Sequence, residues 1–248
     1  MGKVAVVTGS GKKRVGWHVA RALAGAGYSL ALHYNTSAAD AREAARELRE
    51  GGVEAEPFQA DLADEGAVER MAQAVLSRFG RVDVLVTCAA IWERERLEEV
   101  TAADVRRHFD ANTLGTFLCC QRFGLAMVKQ PEGGAIVTVG DWAEVRPYLG
   151  YAAYFPSKGG VSALTRAMAV ELGSRNPRVR VNAVLPGPVM LPPDLSAQER
   201  DEAVRGTLVK REGSPENVAQ AVLALVSNDF ITGALLPVDG GRTVYAPE

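Results

Sequence analysis

Val4-Ala-Val-Val-Thr-Gly-Ser-Gly-Lys-Lys-Arg-Val-Gly16 is the stretch on which the fold turns. Apolar residues without alternation at 4–7 read as a strand covered on both faces, the glycines as a turn, and 15–26 as an amphipathic helix. Glycines let a backbone approach a pyrophosphate, and a helix N-terminus adds amide donors and partial positive charge. An ordinary glycine turn would use the same residues. The place of this one, between a strand and a helix, is what favours a phosphate cradle at Gly9 and Gly16.

Outward from that unit, further apolar runs at 29–34, 82–87, 135–139 and 179–185 predict strands, and 54–58 and 235–238 would be a third and a last strand. Amphipathic stretches at 37–50, 65–79, 113–128, 152–174 and 215–227 predict the helices between them. Such alternation implies an α/β fold, a doubly wound parallel sheet of about seven strands with right-handed crossovers. By analogy with the Rossmann fold the strand order is 3-2-1-4-5-6 with an extra edge strand. The Pro-rich segment 186–194 and the charged helical piece 196–205 follow a strand end, so 186–210 reads as a substrate lid.

Of the 248 residues 47% are hydrophobic and 23% charged, which suits one domain over 1–248. The net charge of −2, with both signs interleaved, offers no stripe for a nucleic acid. No run approaches the roughly 20 apolar residues of a membrane span, and the first apolar run is too short for a leader, so a cytoplasmic protein is expected. Cys88, Cys119 and Cys120 form no CxxC pair, and His18, His33 and His108 lack ligand spacing; no metal is expected.

At the end of the second strand a carboxylate would bind the ribose hydroxyls of NAD and repel a 2′-phosphate. Here the chain reads His33-Tyr-Asn-Thr-Ser37, with no acid before Asp40, which favours NADPH. Thr36 and Ser37 can donate to phosphate, and Arg14 with Lys12 or Lys13 supplies positive charge, although a solvated loop would also carry such residues. Tyr154 and Lys158, four apart on a helix, share one face, and an ammonium beside a phenol favours its ionisation.

The chain resembles the short-chain dehydrogenase/reductase superfamily in Thr8-Gly9 to Gly16, Asp61-Leu62, Asn112, Tyr154/Lys158, Pro186-Gly187 and Asp239-Gly240-Gly241. The resemblance implies Tyr154 as proton donor. It implies Lys158 as the residue that lowers the tyrosine's pKa and binds the nicotinamide ribose, and Asn112 as organiser of a relay water. Read without it, Asn112 is a helix kink or cap, and Asp61 or Asp64 caps a helix. The implied dinucleotide contacts are Gly9, Lys13, Arg14, Val15, Gly16, Tyr34, Asn35, Thr36, Ser37, Asp61, Leu62, Cys88, Ala89, Ala90, Tyr154, Lys158, Pro186, Gly187 and Val189.

Three departures stand out. Arg14 replaces the second loop glycine, Thr87-Cys-Ala-Ala90 stands where Asn-Asn-Ala-Gly is usual, and Asp141 occupies the place of the catalytic serine. An anion at 141 would repel a developing alkoxide but suits a nitrogen heterocycle. Asp141, Arg14, Trp92 and the ending Pro237-Val-Asp-Gly-Gly-Arg242 are similar to the pteridine reductase branch, including bacterial dihydromonapterin and dihydrofolate reductases. That implies a pterin stacked on Trp92, reduced with Asp141 and Tyr154 at the site, in a homotetramer. Two alternatives stay open: an NADPH-linked carbonyl reductase of the 3-oxoacyl or sugar ketone kind, and an NADP-binding regulator without catalysis. Trp92 could equally be a hydrophobic plug at a strand end.

Overall fold

Strand β1 (Val4–Thr8) is buried along its whole length, with Val4 and Val6 in one apolar cluster and Ala5 and Val7 in another. A strand's side chains alternate between faces, so this run can be satisfied only with helices on both sides. The computed structural model describes residues 2–246. Within them β2 (Ser29–Tyr34), β3 (Ala55–Gln59), β4 (Val84–Thr87), β5 (Gly134–Val139), β6 (Val179–Pro186) and β7 (Leu235–Val238) join β1. The sheet runs β3-β2-β1-β4-β5-β6-β7 and every pairing is parallel.

Helices α1 (Val15–Gly25), α2 (Ala38–Glu50) and α8 (Pro215–Ser227) cover one face. On the other lie α3 (Glu65–Phe79), α5 (Gly115–Val128) and α6 (Tyr154–Gly173). Phe123, Ile136 and Leu85 are completely buried in the second layer, each worth about 1.5–3 kcal/mol of transfer free energy. Helix starts follow their capping residues. Asp64 accepts from the Ala67 amide at 2.7 Å ahead of α3, and Ser196 with Glu199 closes a capping box on α7 (Ala197–Arg205).

One boundary differs from expectation. The helix expected from residue 113 begins at α4 (Ala102–His108), whose Thr101–Asp104 capping box starts it, and runs on through a π-helical turn at Phe109–Leu114 into α5. Asn112 lies in that wider turn and is buried. Its Oδ1 accepts from the Ile91 amide at 2.8 Å, and its Nδ2 donates to the Ile91 carbonyl and to Ser157 Oγ, both at 3.0 Å. The turn thus joins the loop after β4 to α6, which fits the usual placement of π-bulges at functional sites.

Among the described residues no helix is long and apolar enough to cross a membrane, and no cluster of three or more His, Cys, Asp or Glu side chains could hold a metal. The loops that leave the carboxyl ends of β1, β4, β5 and β6 converge where the strand order reverses between β1 and β4, the usual ligand crevice of such sheets.

Candidate active site

The crevice is a cleft of about 910 Å³, and its nucleotide half is built on Gly9. Gly9 has φ +64°, and a Cβ there would sit 2.8 Å from the Ala89 Cα; a Cβ on Gly16 would sit 2.6 Å from the Gly9 carbonyl oxygen. Only glycine lets these chain segments meet. Thr8 Oγ1 accepts from the Ala89 amide at 3.0 Å, tying the loop after β4 to the end of β1.

His33, at the end of β2, locks the same corner. Its Nδ1 accepts from the Gly9 amide at 3.0 Å and its Nε2 donates to the Ala60 carbonyl at 3.0 Å, so one ring spans the glycine loop and the exit of β3. This arrangement requires a neutral imidazole, and burial lowers its pKa to about 4. Beside it Lys12, Lys13, Arg14, Tyr34, Asn35 and Ser37 form the wall. Lys13 pairs with Glu47 at 2.8 Å, whereas Lys12 and Arg14 have no carboxylate partner among the described residues. Ser37 makes no side-chain capping bond to α2, which leaves its hydroxyl available.

At the other end, β5 delivers Asp141 and α6 delivers Tyr154 and Lys158. The Tyr154 hydroxyl donates to Asp141 Oδ2 at 2.8 Å, and Asp141 Oδ1 accepts from the Ala143 amide at 2.8 Å. Lys158 Nζ donates to the Val139 carbonyl at 2.8 Å. Burial raises the Asp141 carboxyl; contacts with Ala143, Tyr154 and Lys158 oppose it. Burial, then the Asp141 charge, pushes the Tyr154 hydroxyl well above its ordinary value. Burial pulls the Lys158 ammonium down, and Asp141 partly restores it.

Tyr154 is thus hydrogen-bonded to the Asp141 carboxyl, while the Lys158 ammonium is bonded to the Val139 carbonyl and not to the phenol. Trp92 likewise lies 4.8 Å from Tyr151 with the rings within 9° of parallel, so its stacking partner in this arrangement is the chain's own tyrosine. Tyr148 packs edge-on against Tyr151 at 5.1 Å and Phe155 at 4.9 Å, which makes the substrate side an aromatic wall.

Most of the residues expected at the site line this cleft: Gly9, Lys13, Arg14, Val15, Gly16, Tyr34, Asn35, Ser37, Cys88, Ala89, Ala90, Trp92, Asp141, Tyr154, Lys158, Pro186, Gly187 and Val189. Thr36, Asp61, Leu62 and Asn112 do not. Leu62 is spent in the apolar core, Asp61 accepts from the Ala63 amide at 3.1 Å, and Asn112 is used up by Ile91 and Ser157. The sequence reading passed over Tyr148, Arg94 and Glu199 on the substrate side, and the lock made by His33. His33 had a visible signal, as a lone imidazole within the buried strand 29–34. The others had none, because the cleft collects them from separate loops.

Comparison with known proteins bears on the chemistry. A family model described as "Enoyl-(Acyl carrier protein) reductase" matches residues 10–243. The chain is 33% identical over 250 residues to 3beta-hydroxysteroid dehydrogenase 1 of Eggerthella lenta, covering 98% of this chain and 95% of that protein. It is 34% identical over 245 residues to the 3-oxoacyl-[acyl-carrier-protein] reductase FabG of Staphylococcus epidermidis, covering 97% of this chain and 99% of that one. The crystal structure of acetoin dehydrogenase from Enterobacter cloacae superposes with a TM-score of 0.89 at 31% identity, covering 100% of this chain and 98% of the other.

Proposed function

The chain belongs to the short-chain dehydrogenase/reductase superfamily and is an oxidoreductase, and from that premise we propose that it is an NADPH-dependent carbonyl reductase of the cytoplasm. The observation that carries this reading is the Tyr154 hydroxyl, held at 2.8 Å from Asp141 at the wall of the cleft with Lys158 one helical turn away. The residues around Gly9, Lys12, Arg14 and Ser37 would hold a dinucleotide, which when bound would supply the hydride that the carbonyl carbon takes. Tyr154 holds the proton that the carbonyl oxygen takes, giving the alcohol.

An ionised Asp141 would oppose charge growing on that oxygen. Burial keeps the carboxyl protonated to higher pH than usual, and in that state Asp141 and Tyr154 are two neighbouring O–H donors, the arrangement an alkoxide needs. NADPH is favoured over NADH because Lys12, Arg14 and Ser37 face the crevice beside a strand end that lacks a carboxylate. The segment 186–210 serves as the lid, with the prolines at 188, 192 and 193 on the cleft wall. Leu114 on the π turn and Val170 on α6, 38% and 71% exposed, support a homo-oligomer. Light scattering that gives a monomer mass at micromolar concentration would remove that part of the reading.

The pterin reading retains one observation, the acid at 141. By their names the relatives above act on a hydroxysteroid, 3-oxoacyl thioesters and acetoin, so they back a carbonyl substrate over a pterin. NADPH consumption with acetoacetyl thioester, acetoin, dihydrobiopterin, dihydromonapterin and dihydrofolate in parallel tests the choice. Turnover of the carbonyl compounds is expected. Turnover of the pterins alone would reverse the assignment, and cofactor binding without any turnover would point to a regulator.

A further inference from the structure

A smaller cavity of about 220 Å³, walled by Trp142, Arg146, Tyr148, Glu202, Arg242 and Tyr245, shares Trp142, Tyr148, Glu202 and Arg242 with the wall of the substrate cleft. Arg242 sits over the Trp142 indole, its guanidinium carbon 4.6 Å from the ring centroid, and is half-buried. One of its nitrogens donates to the Ala203 carbonyl. Arg146 spends one nitrogen on the Arg242 carbonyl at 2.7 Å and on the Tyr245 carbonyl. The remaining N–H groups of both guanidinia have no hydrogen-bond partner among the described residues.

Neither arginine has a carboxylate within ion-pair distance among those residues, whereas Arg46, Arg78, Arg107 and Arg122 each do. The acids close by are engaged elsewhere. Glu202 accepts from Gln198 at 2.9 Å, while Asp239 accepts from the Gly241 amide at 2.9 Å and from the Thr243 amide and hydroxyl, both at 2.6 Å. Two like charges brought together in a half-buried cavity repel each other and lose hydration, a cost that an anion between them would reverse. A guanidinium pinned on an indole face is also pre-oriented, so little side-chain freedom is lost when its fork meets a planar carboxylate.

We propose that Arg242 and Arg146 form an anion subsite that takes the carboxylate of an oxo-acid substrate whose carbonyl is reduced at Tyr154. This assignment deepens the carbonyl reductase reading and rests on it. Trp142 directly follows Asp141 in the chain, so the subsite and the reacting end share one short loop. A neutral ketone would fill the cleft without using either charge, and selectivity for the acid would come from the unpaired N–H groups.

The test compares straight-chain oxo acids of increasing length, each beside its methyl ester, in wild type, Arg242→Gln and Arg146→Gln. In wild type one chain length should be preferred as the acid, with kcat/KM above that of its ester by on the order of tenfold to a hundredfold, as expected for charge-assisted hydrogen bonds. Each variant should bring that ratio close to one, the ester within the same variant serving as the reference. Acid and ester used equally by wild type, or a preference kept in both variants, would overturn the subsite.

Calorimetric titration of the NADPH-bound protein with glutarate, and with glutaramide as the uncharged control, separates this proposal from the carbonyl reading. Glutarate binding that is lost in Arg242→Gln supports the subsite even if no oxo acid is reduced. Glutarate that does not bind wild type, or binds the variant equally, sinks it even if neutral ketones are turned over. Arg242→Lys keeps a charge but loses the planar fork, and is expected to recover the acid preference only in part, which guards against a loss caused by misfolding.

Discussion

Because burial raises the Asp141 carboxyl while Tyr154 donates to it, the two groups share one proton inventory. With the neutral carboxyl as partner, reduction should be fastest at low pH and slow as pH rises through the raised Asp141 pKa. In Asp141→Ser that descent is expected to vanish from the kcat profile for a ketone, whereas an unchanged profile would show that Asp141 takes no part. Stability has the same sign. A carboxyl whose pKa is raised on folding stabilises the fold most below its ordinary value and loses that contribution as pH rises through the folded pKa. Asp141→Asn should therefore melt at a higher temperature than wild type at neutral pH while losing activity. His33 runs the other way. Its imidazole falls from 6.5 to about 4, so its contribution is complete above pH 6.5 and disappears as pH drops toward 4. The difference amounts to about 3 kcal/mol between those limits. Denaturant titrations should show that acid loss in wild type and a shallower slope in His33→Gln, together with a raised KM for NADPH as the glycine loop loosens.

Among the elements, the π turn at Phe109–Leu114 holds the most consequence for its size. Asn112→Ala would strip partners from the Ile91 amide, the Ile91 carbonyl and Ser157 Oγ, at about 1–3 kcal/mol for each buried group left unpaired. A fall in the denaturation midpoint with weaker substrate binding is expected, since the same loop carries Trp92; loss of kcat alone, with stability intact, would instead favour a direct part in proton relay. This turn also marks where sequence reading stops. Local periodicity points to a helix from 113 onward; the Thr101–Asp104 capping box starts the earlier one, and the wide turn that joins them carries a tertiary bond between residues 91 and 112 that no local pattern contains. The strands were legible because burial on both faces writes itself into unbroken apolar runs such as 4–7. Tyr154 and Lys158 were legible because four residues make one helical turn. The stacking of Trp92 on Tyr151 was not, because it joins two loops far apart in the chain.

For the molecule as a whole, the two helix layers followed from alternation and the sheet order from analogy with the Rossmann fold, while the shape of the cleft followed from neither. Strand order is imposed by connection rules, but a cleft is made where loops meet, and loops carry no periodicity. The single sheet with its two apolar layers predicts one cooperative transition. Phe123→Ala, at a fully buried site between α5 and the sheet, should cost about 3–5 kcal/mol in a denaturant titration. The loss should appear equally in a helix signal and in a tertiary one; separate transitions would divide the chain into independent parts.

The three tryptophans are placed so unequally that the chain carries its own optical probe. Trp17 is 2% exposed within the core, Trp142 is 8% exposed beneath Arg242, and Trp92 is 41% exposed at the mouth of the cleft. A soluble quencher such as acrylamide will therefore reach one indole far ahead of the other two. A molecule that enters beside Trp92 must shield that indole or part it from Tyr151, so occupancy can be read from unlabelled protein as lost quenching, and Trp92→Phe would silence the signal.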